Sequence, residues 1–512
     1  MKNEKMRPYT VMCTDIYLLI MLVVFPLYYA DGYFHLPERK AEFYSIATLI
    51  YVIVTLLGAV ITAFSMREQW SWEALKKNIT GTDICMFGFL ISNLIALAMS
   101  NDVANSWTGK SSRYYGAKVL ILVCVSYFLI SRYAWINKVF INAFLIGGNG
   151  VCLLATFDYF GMDVLGINKQ MQWTDWLIFI STMGNANTCA SYVCMALAGA
   201  MVYFCVVEGK KSKIFAGISI VNCSVALITA RSDSSFIGIA VIIVVLGVLA
   251  FRRKVKWKNY ILTLSLLDMG FLILFLLRKK FEEHLILESF DTGLPRALNQ
   301  PILLTILFII LIVFFVLLFI IETKNIKIQK NIKRVSLIVV GIIAIVGVTI
   351  LIQKIGISQV FKGGMGGSDV TGSRSYTYRI VVQAYGELPL KYKIFGNGQA
   401  SITSILYRYF GEELSAAGIS INSAHDHILD YLIIIGLFGV VCYLGTLVTG
   451  IKHCLKIILE HKYVLVFAGV VIAYFAQGIF NIEQTNTTTI FWIMIACCEA
   501  MYRKVALKTN NC

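Results

Sequence analysis

Residues 234–251 read Ser-Ser-Phe-Ile-Gly-Ile-Ala-Val-Ile-Ile-Val-Val-Leu-Gly-Val-Leu-Ala-Phe, 18 residues without one charge. As a helix this stretch rises about 27 Å, close to the thickness of a bilayer's hydrocarbon core. Arg231 and Asp233 bound it on one side, and Arg252, Arg253 and Lys254 on the other. The pattern recurs from end to end, with spans expected near 11–30, 43–65, 83–100, 115–131, 139–158, 187–206, 214–230, 234–251, 259–277, 302–321, 335–352, 428–449, 463–481 and 488–502. The 512 residues are 58% hydrophobic and 14% charged, with a mean hydropathy of +0.74, too little polar surface for a water-facing globule. Disorder, a secreted disulfide scaffold and a soluble nucleic-acid binder are excluded. The expected fold class is an all-α polytopic membrane protein, with about 12–14 transmembrane helices and one long extracytoplasmic loop carrying short helices.

The net charge of +16 is explained by where the basic residues stand. About 27 of the 45 fall in alternate short segments, among them Arg67, Lys76 and Lys77, Lys210, Lys211 and Lys213, Lys452 and Lys456, and Arg503 and Lys504. Cytoplasmic loops collect Lys and Arg, so both termini are expected in the cytoplasm. Arg278, Lys279 and Lys280 fall on the outer side by this topology, which implies an interfacial helix or different spans near 259–321. The first apolar run, from about Val11, lacks a small-residue cleavage site and reads as a retained helix. Most of the 13 cysteines lie inside apolar runs without a CxxC pair, so neither a disulfide nor a thiolate metal site is expected. The expected organisation is a helical bundle over 1–352, an outer loop over 353–427, and C-terminal helices over 428–512.

A loop of about 75 residues is unusual in a compact protein, and such loops tend to carry function. It opens on a Gly-rich patch at 362–367, continues through a helix-like stretch from Arg374 to Glu387, and closes on Ser423-Ala424-His425-Asp426-His427. Guanidinium forks suit phosphate oxygens and keep their proton, so Arg374 and Arg379 are candidates, with lipid headgroups as the plainer partner. Five residues apart, they stand about 500° round a helix and do not share a face. Arg231 and Asp233 sit at a hairpin tip between two apolar runs, where charge is costly unless paired or used. Asn185 and Asn187 also fit ordinary turn and capping roles. His425 or His427 could serve as a general base oriented by Asp430, since imidazole titrates near neutrality. His-Asp-His could instead bind metal, but successive helical residues point about 100° apart, and no metal is expected. Asp268, in mid-span, reads as a proton relay or a hydrogen-bonded core group.

These residues resemble the bacterial O-antigen ligase and O-antigen polymerase superfamily. Arg374, Tyr378, Pro389-Leu390 and Gly396-Asn397-Gly398 keep the order of that family's outer-loop motifs. Ala424-His425-Asp426, Leu429 and Gly436-Leu437-Phe438-Gly439 are similar to its Ala-His-Asn, leucine and Gly-Leu-x-Gly sequence, with Asp426 at the Asn position. Upstream, Gly184-Asn185-Ala186-Asn187 resembles Gly-x-Asn-Pro-Asn, and Ala230-Arg231-Ser232 resembles a Ser-Arg motif. The likeness covers about residues 180–440.

The resemblance implies a metal-independent, inverting glycosyltransferase without a cofactor, at the outer face of the cytoplasmic membrane. Its donor would be an oligosaccharide on a polyprenyl diphosphate and its acceptor a glycan hydroxyl, in contact with membrane lipid and other polysaccharide-assembly proteins. His425, Arg374 and Arg231 would be catalytic. Arg379, Asn187, Asp426, His427 and Tyr378 would surround the substrate. Polymerase is preferred over ligase because nothing indicates a lipid-A-type acceptor. The rival class is a transporter of lipid-linked oligosaccharide, although polar groups gather at one face rather than near the midplane.

Overall fold

The computed structural model describes residues 9–65, 79–167, 171–172, 178–284, a few positions within 305–316, and 374–509. The spans expected at 302–321 and 335–352, and the Gly-rich patch at 362–367, therefore lie largely or wholly outside the described residues. What is described is almost entirely helical. One strand pair, Phe179–Ile180 against Gly184–Asn185, is antiparallel.

The helices are α1 (Tyr9–Leu27), α2 (Gly32–Ser65), α3 (Gly81–Ala98), α4 (Val103–Thr108), α5 (Ala117–Tyr133), α6 (Lys138–Tyr159), α7 (Ala186–Val206), α8 (Lys210–Thr229), α9 (Ser234–Phe251) and α10 (Trp257–Lys280). After the undescribed stretch come α11 (Arg374–Glu387), α12 (Leu390–Phe395), α13 (Ile402–Ala416), α14 (His427–Ile434), α15 (Gly436–Ile457), α16 (Val464–Gly478) and α17 (Thr485–Thr509). Among the described residues nine helices are long and apolar enough to cross a membrane, so the chain is an all-α, multi-pass membrane protein. Two compact units divide it. The first comprises the described residues of 1–140, 362–468 and 478–512, the second those of 141–361 and 469–477.

The run expected as a single span at 428–449 is broken between α14 and α15. Gly436 takes φ +69, and a Cβ there would run into the Ile394 carbonyl. The Gly396-Asn397-Gly398 turn fills the break: the Asn397 and Gly398 N–H groups donate to the Ile433 and Ile434 carbonyls, each at 3.1 Å. Broken helices persist in membrane proteins where other groups re-satisfy the freed backbone, and here the turn at 396–398 does so. In α1, where Pro26 and a π-helical turn end the helix, Lys40 plays the same part. Fully buried, it donates to the Phe25 and Pro26 carbonyls at 2.6 and 2.9 Å.

At the other end of the first unit's helices lies a buried ion cluster. Asp83, in the first turn of α3, meets Arg503 of α17, Arg132 of α5 (3.4 Å) and the Tyr127 hydroxyl (3.3 Å). His453 of α15 bonds Glu499 at 2.8 Å and stacks on Tyr502 at 3.9 Å.

In the second unit α7 is buried from Thr188 to Val206, and small residues let its neighbours close on it. A Cβ at Gly238 of α9 would lie 2.5 Å from the Cys194 sulfur of α7. Arg278, expected in an interfacial helix or misplaced span, stands in the last turn of α10, 5% exposed, its guanidinium over the Tyr159 ring at 5.6 Å. A cation there also faces the negative end of the helix dipole.

Candidate functional site

His425 stands on the turn that leads into α14, and neighbouring groups fix its backbone. Asp426 caps the helix, its Oδ1 accepting the Ile428 and Leu429 N–H groups at 2.8 and 3.1 Å. Asn and Asp fill that position about equally well. Asp430 accepts the Ala424 N–H at 2.6 Å and the Ser423 hydroxyl at 2.8 Å, and the Ser423 oxygen in turn accepts the His425 N–H at 3.0 Å. Asp430 thus shapes the backbone ahead of the ring. Tyr378 donates to the His425 carbonyl at 3.3 Å. His425 is held at φ +57, a left-handed conformation that costs a non-glycine residue about 1–2 kcal/mol. Such strain tends to cluster at functional positions.

The imidazole is half-buried, and its Nδ1 makes no hydrogen bond among the described residues. Burial pushes its pKa down to about 4, and the positive charges of Arg374 and Arg113 push the same way. His425 is therefore neutral at pH 7 and able to take a proton. Arg374 begins α11, four residues before Tyr378, so both lie on one helical face. Burial raises the Tyr378 phenol to about 12, which keeps it a donor at neutral pH. Burial also raises the Asp426 carboxyl, against the pull of its two backbone bonds.

The structure thus brings His425, Arg374, Tyr378 and Asp426 together. Arg379 instead pairs with Glu413 at 3.5 Å, both about half exposed, an arrangement worth little energy. His427 is fully buried, pressed over Gly478 and edge-on to Tyr443, with Nδ1 3.8 Å from Glu483. His425, Asp426 and His427 therefore do three separate things. Among the described residues no group of three His, Cys, Asp or Glu side chains could hold a metal ion.

Arg231 and Asn187 belong to the second unit. Arg231 occupies the turn between α8 and α9 at φ +54. The neighbouring Ser232 hydroxyl donates to Asn187 Oδ1 at 2.8 Å, while Asn185 caps α7 by accepting the Asn187 N–H at 2.9 Å. Asp268 of α10 is 7% exposed, and its Oδ2 makes no hydrogen bond among the described residues.

Arg113 is the residue that sequence reasoning missed. It carries no motif, but one signal was present: Lys110 and Arg113 lie between spans 83–100 and 115–131, in a segment outside the set that collects the basic residues. No protein-family model matches the chain, and none of the curated proteins is similar enough to match it.

Proposed function

We propose that this protein is a membrane glycosyltransferase that moves an oligosaccharide from a polyprenyl diphosphate to the hydroxyl of a growing glycan, at the outer face of the cytoplasmic membrane. The observation that carries this reading is a neutral histidine with an unbonded ring nitrogen beside an arginine, held in a strained turn next to membrane-spanning helices. In the reaction the acceptor hydroxyl gives its proton to His425 as its oxygen forms a bond to the anomeric carbon. The bond from that carbon to the diphosphate breaks, and the electron pair leaves with the polyprenyl diphosphate. Arg374 offsets the charge growing on the leaving group, the kind of preorganised stabilisation that is often the largest contribution to catalysis. The placement of basic residues supports an outward-facing site. Lys452, Lys456, Arg503 and Lys504 stand at the ends of α15 and α17 away from His425.

A strain lacking the chain tests this reading. It is expected to lose long glycan and to strand lipid-linked oligosaccharide on the outer leaflet. Donor held on the inner leaflet would make the protein a transporter instead, and full-length but unattached glycan would make it a ligase. An Arg374→Lys chain keeps the charge but loses the fork, so activity between that of the wild type and of Arg374→Ala is expected.

A further inference from the structure

We propose that Arg113 is a second anion-binding residue, and that its guanidinium and that of Arg374 together grip the diphosphate of a lipid-linked substrate beside His425. That the anion is a lipid diphosphate rests on the glycosyltransferase reading above; that there is an anion site does not.

The loop that carries Arg113 is built to hold a side chain still. It runs from Gly109 to Gly116, whose backbones approach so closely that neither position has room for a Cβ. Inside it the Ser112 and Tyr114 N–H groups both donate to the Gly109 carbonyl, at 2.9 and 2.7 Å. From outside, the Ser111 hydroxyl donates to the Ala400 carbonyl at 3.3 Å, and the Thr485 hydroxyl to the Tyr114 carbonyl at 3.1 Å. Arg113 and Tyr114 are consecutive left-handed residues, at φ +56 and +59. Neither is glycine, so the loop is strained where the arginine sits.

A purely structural arginine would be expected to have a partner. Among the described residues the Arg113 guanidinium makes no hydrogen bond and no ion pair, and neither does that of Arg374. The one carboxylate whose charge acts on Arg113 among the described residues is that of Asp430. Its two oxygens, however, already hold Ala424 and Ser423. Tyr115, two residues after Arg113, meets the Tyr431 hydroxyl of α14 at 3.4 Å, and Tyr378, one turn after Arg374, donates to the His425 carbonyl at 3.3 Å. Two like charges are thus carried to the half-buried turn ahead of α14, an arrangement that favours a bound anion. The other charged groups nearby are differently engaged. Asp426 caps α14, and the Glu38 and Glu42 carboxylates act on Tyr114. Two planar forks match the several oxygens of a diphosphate better than a single carboxylate.

The test titrates the full-length chain in detergent with inorganic pyrophosphate and with farnesyl diphosphate. Arg113→Gly removes the guanidinium and relieves the left-handed strain, so it is expected to unfold no earlier than the wild type. Its pyrophosphate affinity is expected to fall about 10- to 100-fold, the usual range for losing a hydrogen bond to a charged group. Arg113→Lys should fall between the two, and Arg408→Gln, at an exposed position of α13, should bind as the wild type does. Mapping of diethyl pyrocarbonate adducts on His425 should show its reactivity appearing at higher pH in Arg113→Gly, because one repulsion on the imidazolium is gone. Wild-type affinity in Arg113→Gly, or no pyrophosphate binding by the wild type at millimolar concentration, overturns the proposal. Farnesyl diphosphate binding tighter than pyrophosphate supports a lipid-linked anion, and weaker binding overturns that assignment. Arg113-dependent pyrophosphate binding in a chain with no glycosyl transfer would leave the anion site standing and remove the enzyme reading alone.

Discussion

Replacing His425 by alanine is expected to lower polymer formation about 10²- to 10⁴-fold, the usual contribution of a positioned general base. The protein should still accumulate and unfold at nearly the wild-type temperature, because its carbonyl and N–H, rather than its ring, make the bonds that fix the turn. The pH dependence follows from the depressed pKa. With the ring titrating at about 4, lowering the pH through that value protonates the base and stops transfer, whereas an unperturbed histidine would fail near 6.5. Above pH 4 the acid side of the profile is therefore flat. Removing the Arg374 charge takes away a repulsion and should raise the pH at which the ring protonates, read from diethyl pyrocarbonate labelling of His425 rather than from turnover. Polymer at wild-type levels from well-expressed His425→Ala protein, or an acid limb near 6.5, would contradict the role given to this ring.

Gly436→Ala is expected to destabilise the fold by about 2–5 kcal/mol, combining the left-handed penalty with overpacking against backbone. The substituent would run into the Ile394 carbonyl, a main-chain atom that cannot swing aside as a long side chain could. Gly396, at φ +84, faces the Ile434 carbonyl in the same tight manner, so the strain cannot be passed across the contact. Because the turn at 396–398 holds the end of α14, transfer activity should fall together with stability. Thermal unfolding in detergent checks it, and a midpoint within a degree or two of the wild type would refute the packing described here.

The helices were legible because a membrane span needs little more than a long apolar run. α9 appears at 234–251 and α11 at Arg374–Glu387, with the bounds their sequences suggest. The break at Gly436 was not legible, since 428–449 reads as one apolar run and the groups that cap the broken end lie near residue 397. The site was legible where residues are close in sequence. Periodicity set Arg379 on a different face from Arg374, and it does turn away to Glu413. His427 is two residues from His425, yet the start of α14 directs it into the core, because Asp426 takes the capping position between them. Arg113 lies in a loop more than 300 residues before His425 in the sequence, and only the folded chain sets its charge against the same imidazole as that of Arg374.

The most direct test of glycosyl transfer at this site is the release of free polyprenyl diphosphate by the purified chain in proteoliposomes, supplied with a polyprenyl-diphosphate-linked oligosaccharide. One polyprenyl diphosphate should appear for each glycosidic bond formed, and both should vanish together in Arg374→Ala and His425→Ala. Oligosaccharide that crosses the bilayer still attached to its lipid, with no diphosphate set free, would show that the protein moves its substrate without breaking it.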